Sequence, residues 1–192
     1  PDYADAYYNM GIALKGAVFK KPNPDLQKII ISILDKKTIM RPSSITSAAI
    51  SLLKFEPKLK RHLQLPTVAD GKLNLLAVLD DLSALPLLLK IMSVCPLPDL
   101  ELEGLFRELR ASLLLSILDL TGSVQELAFQ SALALQCFTN EYIYTQSEYE
   151  DEALSVLEEQ VKQTLRNGDQ PCPQSVLCLA SYRSLYEYDW SS

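Results

Sequence analysis

The side chains best suited to chemistry are few in this chain. It contains one histidine, His62, and four cysteines, at positions 95, 137, 172 and 178. A serine or cysteine hydrolase would need His62 as its base. That histidine follows Lys58, Lys60 and Arg61, whose positive charges disfavour protonation of an imidazole. We therefore predict no catalytic residue in this chain, and hence no enzyme activity of its own.

Metal and cofactor sites are not indicated either. A zinc site needs four soft or imidazole ligands at local spacing, whereas Cys172 and Cys178 are six apart and His62 is remote. A phosphate or adenosine cradle needs closely spaced glycines, but the nearest pair, Gly11 and Gly16, is five apart. We predict no metal and no cofactor. The thiols are expected to be reduced and to serve as small hydrophobic side chains.

Charge is distributed unevenly along the 192 residues, whose net charge is −6. Residues 1–64 hold 11 Lys and Arg against 5 Asp and Glu, while residues 65–192 hold 7 against 19. The densest basic cluster could meet phosphate or an acidic partner, or it could be a solvated helix face that complements the acidic half. Its only aromatic residue is Phe55, which argues against a nucleic-acid groove. The cluster comprises Lys54, Lys58, Lys60, Arg61 and His62.

A second polar group, Asn140-Glu141-Tyr142, precedes Ile143 and Tyr144 near a predicted helix end. Tyrosines bury area while keeping a hydroxyl for pairing, so this group could line a pocket or a partner interface. Alternatively, Asn140 and Glu141 bridge the following turn while Tyr142 belongs to the core. We retain Asn140, Glu141 and Tyr142 as candidate partner-binding residues.

The elements that must position these residues are helical. Between residues 26 and 34, apolar side chains recur at i, i+3, i+4, i+7 and i+8, which is one face of a helix. Asn23-Pro24-Asp25 supplies a cap, a first-turn proline and an acid. No stretch alternates over five residues, so no sheet is expected. We predict an all-α fold of about nine helices in antiparallel pairs.

Further helices are predicted from stripes and start signals on both sides of a looser segment at 65–72, which contains a proline and a glycine. Ser123 with Glu126, and Ser147 with Glu150, carry the capping-box pattern. Cys95-Pro96-Leu97-Pro98 must be extended or turned. The predicted helices cover 24–36, 42–54, a short one from Pro57, 75–82, 86–92, 102–117, 123–142, 147–167 and 173–188.

The N-terminal string PDYADAYYNMGIAL carries the most specific pattern. Tyr7, Met10, Gly11 and Leu14 resemble the first helix of a tetratricopeptide repeat, in which the glycine allows a neighbouring helix to approach. The resemblance ends after about residue 14, because the expected second helix does not follow. We predict a partial, final repeat at 1–21 and a helical domain at 22–192, with a sub-boundary possible at 65–72.

The resemblance also implies a binding face on this first helix. Asn9 occupies the position at which superhelical tetratricopeptide arrays, including those of O-linked N-acetylglucosamine transferases, place an asparagine to hold a peptide backbone. Many repeats carry asparagine there without a known ligand, so a purely structural role stays open. The candidate partner-binding residues of this helix are Asp5, Tyr8, Asn9 and Ile12.

The remainder, including FQSALALQCFTNEYIYTQSEYE, resembles the helical region between the repeats and the methyltransferase domain of bacterial tetratricopeptide-containing proteins. Many of these use S-adenosylmethionine. The resemblance implies a non-catalytic interaction and spacer module that positions a protein substrate for a methyltransferase domain outside this chain. The alternatives are a stand-alone helical scaffold or regulator that binds a protein partner, and a cryptic enzyme.

Targeting features predict a cytoplasmic location. The longest apolar run, from residue 84 to 89, is far shorter than the roughly 20 residues a membrane-spanning helix needs. The chain opens without methionine, a basic region or an apolar region, so we predict no secretory signal and a piece of a longer protein. The expected partner is a protein or peptide, and neither nucleic acid nor membrane.

Overall fold

A computed structural model describes residues 3–36, 40–64, 75–188 and 190. The predicted all-α class is confirmed: within these ranges the chain forms ten α-helices, joined by loops and three short 3₁₀ turns, with no strand. None of these helices is long and apolar enough to cross a membrane. The helices are α1 (Ala4–Leu14), α2 (Pro24–Asp35), α3 (Thr46–Leu53), α4 (Pro57–Gln64), α5 (Leu75–Ser83), α6 (Pro86–Met92), α7 (Leu100–Leu115), α8 (Val124–Thr139), α9 (Glu148–Arg166) and α10 (Pro173–Ala180). The 3₁₀ turns are Pro42–Ser44, Ile117–Asp119 and Leu185–Glu187.

Side-chain caps begin several helices where the sequence predicts a start. The Asn23 side chain accepts a hydrogen bond from the Leu26 amide at 3.0 Å. The Ser147 box is complete, because Ser147 Oγ accepts from the Glu150 amide while Glu150 Oε2 accepts from the Ser147 amide at 2.9 Å. A cap satisfies amides that have no partner inside the helix, so these starts are set by local sequence.

The capping box predicted at Ser123 is only half formed. Ser123 Oγ accepts from the Glu126 amide at 3.2 Å. The Glu126 carboxylate, however, accepts from Thr121 Oγ1 at 2.9 Å and from the Gly122 amide at 2.8 Å. The preceding turn therefore takes the place of the reciprocal bond to Ser123.

Three helices are shorter than predicted. The helix predicted over 42–54 begins only at Thr46, after a separate 3₁₀ turn at Pro42–Ser44. The α8 helix ends at Thr139 and not at Tyr142, because Glu141 and Tyr142 adopt left-handed backbone conformations with φ of 54° and 55°. The last predicted helix, 173–188, is divided. Its α-helical part ends at Ala180, and a separate 3₁₀ turn follows at Leu185–Glu187. Directly after this turn, Tyr188 Oη donates to the Leu179 carbonyl at 2.9 Å.

The core consists of two clusters. The larger extends from Leu14 to Tyr144 and includes α8, which packs against α5, α6 and α10. The smaller cluster lies between α7, α9 and α10 and comprises Leu114, Leu154, Leu157, Val161, Cys178, Leu179, Tyr182 and Tyr188. The predicted looser segment at 65–72 lies outside the described residues.

A buried amide holds the proline-containing segment after α6. Gln136 on α8 is 1% exposed. When the side-chain nitrogen faces the backbone carbonyls and the side-chain oxygen faces the backbone amide, Gln136 donates to the Cys95 carbonyl at 3.1 Å and accepts from the Leu97 amide at 3.1 Å. The expectation that residues 95–98 are not helical is confirmed. The buried Cys95 carbonyl and Leu97 amide, which lie outside any helix, therefore find their partner on α8.

Candidate functional site

The four candidate residues of α1 share one solvent-facing side of the helix. Asp5, Tyr8, Asn9 and Ile12 are all exposed, with Tyr8 at 52% and Ile12 at 50%. Their spacing of i, i+3, i+4 and i+7 places them along one stripe. This outer stripe combines an acid, an amide and two large apolar groups, which is a suitable composition for contacting a polypeptide.

The opposite side of α1 faces the core and carries the four residues of the repeat-like pattern. Leu14 is buried, and Tyr7 and Met10 pack against the larger cluster. Lys36 Nζ lies 4.3 Å from the centre of the Tyr7 ring. A Cβ built at residue 11 would lie 2.7 Å from Met40 Cε, so the Met40 side chain is the closest neighbour of Gly11. The close neighbour at Gly11 is thus a flexible side chain and not the backbone of another helix, which corrects the packing role inferred from the sequence.

Four of the five residues of the basic cluster pair with carboxylates of the acidic half. Lys54 Nζ lies 2.6 Å from Asp99 Oδ2. On α4 and α5, Lys58 Nζ lies 3.5 Å from Asp81 Oδ1, and Arg61 and His62 lie 3.2 Å and 3.0 Å from Asp81 Oδ2. The hydrogen bond with His62, together with the charges of Arg61 and Lys58, lowers the pKa of Asp81 although burial opposes this. This arrangement agrees with a helix face that complements the acidic half.

The Asn140-Glu141-Tyr142 segment separates into three environments. Asn140 ends α8, and its carbonyl accepts a hydrogen bond from the Ile143 amide at 3.3 Å. Burial raises the pKa of the nearby Tyr144 to about 12. Glu141 is exposed. Tyr142 is half-buried against the larger cluster, while its ring packs edge-to-face on Phe138 at 6.3 Å between centroids. Tyr142 thus both packs against the core and lines a pocket, while a partner contact of Asn140, Glu141 and Tyr142 stays a prediction.

That pocket is an open groove of about 360 Å³ between α8 and the end of α10. Its polar lining residues besides the tyrosines are Ser131 and Ser184. We call it the α8–α10 groove. Its large apolar and aromatic lining residues are Leu135, Phe138, Tyr142, Leu177, Leu185 and Tyr186.

Periodicity alone misassigned part of this groove. The sequence places Leu127, Ser131, Leu135, Phe138 and Tyr142 on a single helical stripe, which would ordinarily face a core. In the structure Leu135 is 44% exposed and Phe138 56%, while the buried face of α8 carries Phe129, Leu133 and Cys137. The helix therefore has two apolar faces, and only one of them is covered.

Sequence reasoning also missed a buried ionic cluster centred on Arg110. This side chain is 0% exposed. Its Nη2 atom donates to the Thr145 carbonyl at 2.9 Å and lies 3.4 Å from Glu150 Oε1. The guanidinium lies 4.2 Å from the centre of the Tyr182 ring, and Tyr182 Oη donates to Glu150 Oε1 at 2.8 Å. Its position within the apolar stripe of α7 is the one sequence signal that could have shown it.

Charge balance within this cluster determines the ionisation of Glu150. Burial opposes the charged form, but hydrogen bonds from Ser147 and Tyr182 and the charge of Arg110 outweigh it and lower the pKa of Glu150. Burial and the bond to Glu150 both raise the pKa of Tyr182. The cluster is thus a carboxylate, a guanidinium and a neutral phenol, all shielded from solvent. Its hydrogen bonds connect α7, α9 and the segment that follows α10.

The comparisons with known proteins add no relative. The chain matches no protein-family model, no curated protein and no solved structure. Within the described ranges, no three His, Cys, Asp or Glu side chains group so as to hold a metal ion. Two exposed surfaces of the described chain are suited to contact a partner, the α1 outer stripe and the α8–α10 groove.

Proposed function

We propose that this chain is a non-catalytic protein-interaction and spacer module of a larger tetratricopeptide-repeat protein. The observation that carries the proposal is the division of α1 into two faces. Tyr7, Met10 and Leu14 face the core, while the outer stripe of Asp5, Tyr8, Asn9 and Ile12 is free for a polypeptide. An asparagine side chain can donate to and accept from the backbone of an extended peptide.

The larger protein in this proposal is a cytoplasmic, bacterial methyltransferase that uses S-adenosylmethionine, with its catalytic domain outside this chain. The resemblance of nearly the whole chain, including residues 129–150, to the helical region preceding such domains supports this part. The module would hold a repeat-bound protein substrate at a fixed distance from the methyl donor. Asn140, Glu141 and Tyr142 provide a second contact region in this scheme.

Peptide selection tests the interaction part directly. Random peptides of about 15 residues displayed on phage would be selected against the intact chain and then measured by calorimetry. We expect Asn9→Ala combined with Tyr8→Ala to weaken the selected peptides about ten-fold, because these side chains supply the pairing and the buried area. Val156→Ser, an exposed apolar position on α9, is the matched control. Equal affinity for the α1 variant and the wild type would refute the proposed face.

The methyltransferase part has separate tests. The reading frame of the gene should continue beyond the codon for Ser192 into a glycine-rich domain that binds a methyl donor. Titration of this chain with S-adenosylmethionine should give no saturable heat. A stop codon shortly after Ser192 would favour the stand-alone scaffold, and saturable heat would favour an enzyme.

A further inference from the structure

The α8–α10 groove is an apolar surface between α8 and the end of α10 that no described part of the chain covers. Leu135 and Phe138 are 44% and 56% exposed, and Tyr186 on the facing wall is 83% exposed. Apolar patches that are contiguous and concave are typical of interaction sites, whereas scattered apolar residues need no explanation. The groove lining is contiguous because Phe138 and Tyr142 contact each other and both border the same cavity.

The lining restricts the conformation of an occupant. Apart from Ser131, Ser184 and the tyrosine hydroxyls, the lining is apolar. An extended peptide would place its amides and carbonyls against these apolar side chains without partners, which costs free energy for each group. A helix keeps its backbone hydrogen bonds internal and presents only side chains. Anchors at i, i+3 or i+4, and i+7 are the usual contacts of a helix in such a groove.

The charges beside the groove restrict the occupant further. Glu141 directly precedes the lining residue Tyr142, and Glu187 directly follows the lining residue Tyr186; both are exposed. Neither carboxylate forms an ion pair within the described ranges. Glu187 is close enough to Tyr142 that its charge, after the larger effect of burial, contributes to raising the pKa of Tyr142. Residues 124–188 carry ten acids against three Lys or Arg.

The backbone at one end of the groove is strained. Glu141 and Tyr142 are the two non-glycine residues with positive φ in the described chain. Left-handed backbone costs such residues about 1–2 kcal/mol each. The conformation places the Tyr142 ring in the groove and Glu141 in solvent beside it. Strain of this kind concentrates at ligand-contacting segments.

We propose that the α8–α10 groove binds an amphipathic helix of a protein partner, with its apolar face on Leu135 and Phe138 and with Lys or Arg residues beside Glu141 and Glu187. This inference rests on the proposed function only in that the chain is an interaction module. It does not depend on the repeat-like α1 stripe or on a methyltransferase.

A designed peptide pair tests both the shape and the charge of the occupant. The probe is a labelled helix of about 18 residues with Leu at i, i+3, i+4 and i+7 and Lys on its flanks; the second peptide carries Glu at the Lys positions. Binding is measured by fluorescence anisotropy. We expect the Lys peptide to bind the intact chain about ten-fold more tightly than the Glu peptide at low salt, and the difference to shrink at high salt.

Variants on the two walls identify the site. Leu135→Ser with Phe138→Ala should weaken the Lys peptide about ten-fold, because the apolar anchors lose their contacts. Val156→Ser, which removes an apolar side chain of similar exposure from α9, should leave the affinity unchanged. Glu141→Gln with Glu187→Gln should weaken the Lys peptide several-fold and reduce its salt dependence, whereas Glu148→Gln with Glu152→Gln should change neither as much. Circular dichroism confirms that each variant is folded.

Three results would overturn the inference. The first is an unchanged affinity of the Lys peptide for the Leu135→Ser, Phe138→Ala variant. The second is equal affinity of the wild-type chain for the Lys peptide and the Glu peptide. The third is self-association of the wild-type chain in sedimentation equilibrium that the same variant abolishes, since a second copy would then be the occupant. Tyr8→Ala with Asn9→Ala should leave the Lys peptide unaffected, so failure of the α1 proposal and failure of the groove proposal are distinguishable.

Discussion

At the scale of single residues, burial divides the four cysteines. Cys172 is exposed, whereas Cys95, Cys137 and Cys178 are buried. The expectation of small hydrophobic thiols therefore holds for three positions and is wrong for Cys172, which precedes α10 in a loop. Burial raises the pKa of Cys137 and of Cys178 to about 12 and also raises that of Cys95.

We predict that only Cys172 reacts with a thiol reagent in the native protein at neutral pH. The thiolate is the reactive species, and the buried thiols are both protonated and shielded. Absorbance with Ellman's reagent should report one thiol in native buffer and four in denaturant. Cys172→Ser should abolish the native signal. A native signal that persists in this variant would show that a buried thiol is accessible.

The backbone conformation of Glu141 lets us predict how a substitution there changes the free energy of unfolding. Its φ of 54° is left-handed, a region that glycine enters without penalty. Glu141→Gly should therefore raise the free energy of unfolding by about 0.5–1 kcal/mol, measured by urea denaturation. Glu152→Gly, within α9, should lower it by about 1 kcal/mol, because glycine is a poor helix former. A loss of stability in both variants would show that Glu141 is not strained.

At the scale of elements, α1 offers a test of what its glycine does. A helical repeat packed through Gly11 would tolerate no side chain there, whereas the atoms nearest to a Cβ at residue 11 are Cε and Sδ of the flexible Met40 side chain. We expect Gly11→Ala to be neutral or stabilising by up to about 1 kcal/mol, since alanine is the better helix former and Met40 can adopt another rotamer. Thermal denaturation measures the change. Destabilisation by more than about 2 kcal/mol would restore the close-packing role inferred from sequence.

The contact between α4 and α5 makes stability depend on pH. Because the pKa of Asp81 is lowered in the folded state, its stabilising contribution is complete above the unfolded pKa and is lost as the pH falls through the folded pKa. We expect the urea midpoint to fall below about pH 4, and to fall less steeply for Asp81→Asn. Asp80→Asn, at the exposed neighbouring position, is the control. Identical pH profiles for the two variants would refute this role of Asp81.

Helix starts that carry a side-chain cap could be predicted from sequence far better than helix ends. Asn23 and Ser147 cap the amides directly after them, so the information is local. The end of α8 depends on the left-handed residues Glu141 and Tyr142, and the end of α10 is followed by a bond from Tyr188, nine residues beyond Leu179. The spacing of apolar residues along the sequence predicts neither of these features.

The candidate sites show the same division between local and tertiary information. The solvent-facing stripe of α1 follows from helical spacing once the helix is placed. Leu135 and Phe138, by contrast, have the spacing of core residues, and only the packing of α8 and α10 shows that they line a groove. Periodicity identifies an apolar face, but whether another element covers that face is a property of the fold.

At the scale of the whole molecule, the two core clusters are joined by the buried charges around Arg110. This side chain comes from α7, reaches Glu150 on α9 and stacks on Tyr182 after α10. The smaller cluster contains eight buried residues, far fewer than the larger one. Regions with fewer buried contacts open locally at lower free energy, so α9 and α10 should be the less stable unit.

We therefore predict that Arg110→Met selectively loosens the part of the fold containing α9 and α10. The substitution leaves the Glu150 carboxylate buried without its cation, which should cost about 3 kcal/mol. Hydrogen exchange followed by mass spectrometry should show greater loss of protection in α9 and α10 than in α2 and α3. Arg107→Met, at an exposed position of the same helix, should leave the exchange pattern unchanged. Adding Glu150→Gln should restore part of the protection, because the uncompensated charge is then removed. A uniform loss across all helices would instead mean that the two clusters unfold as a single unit.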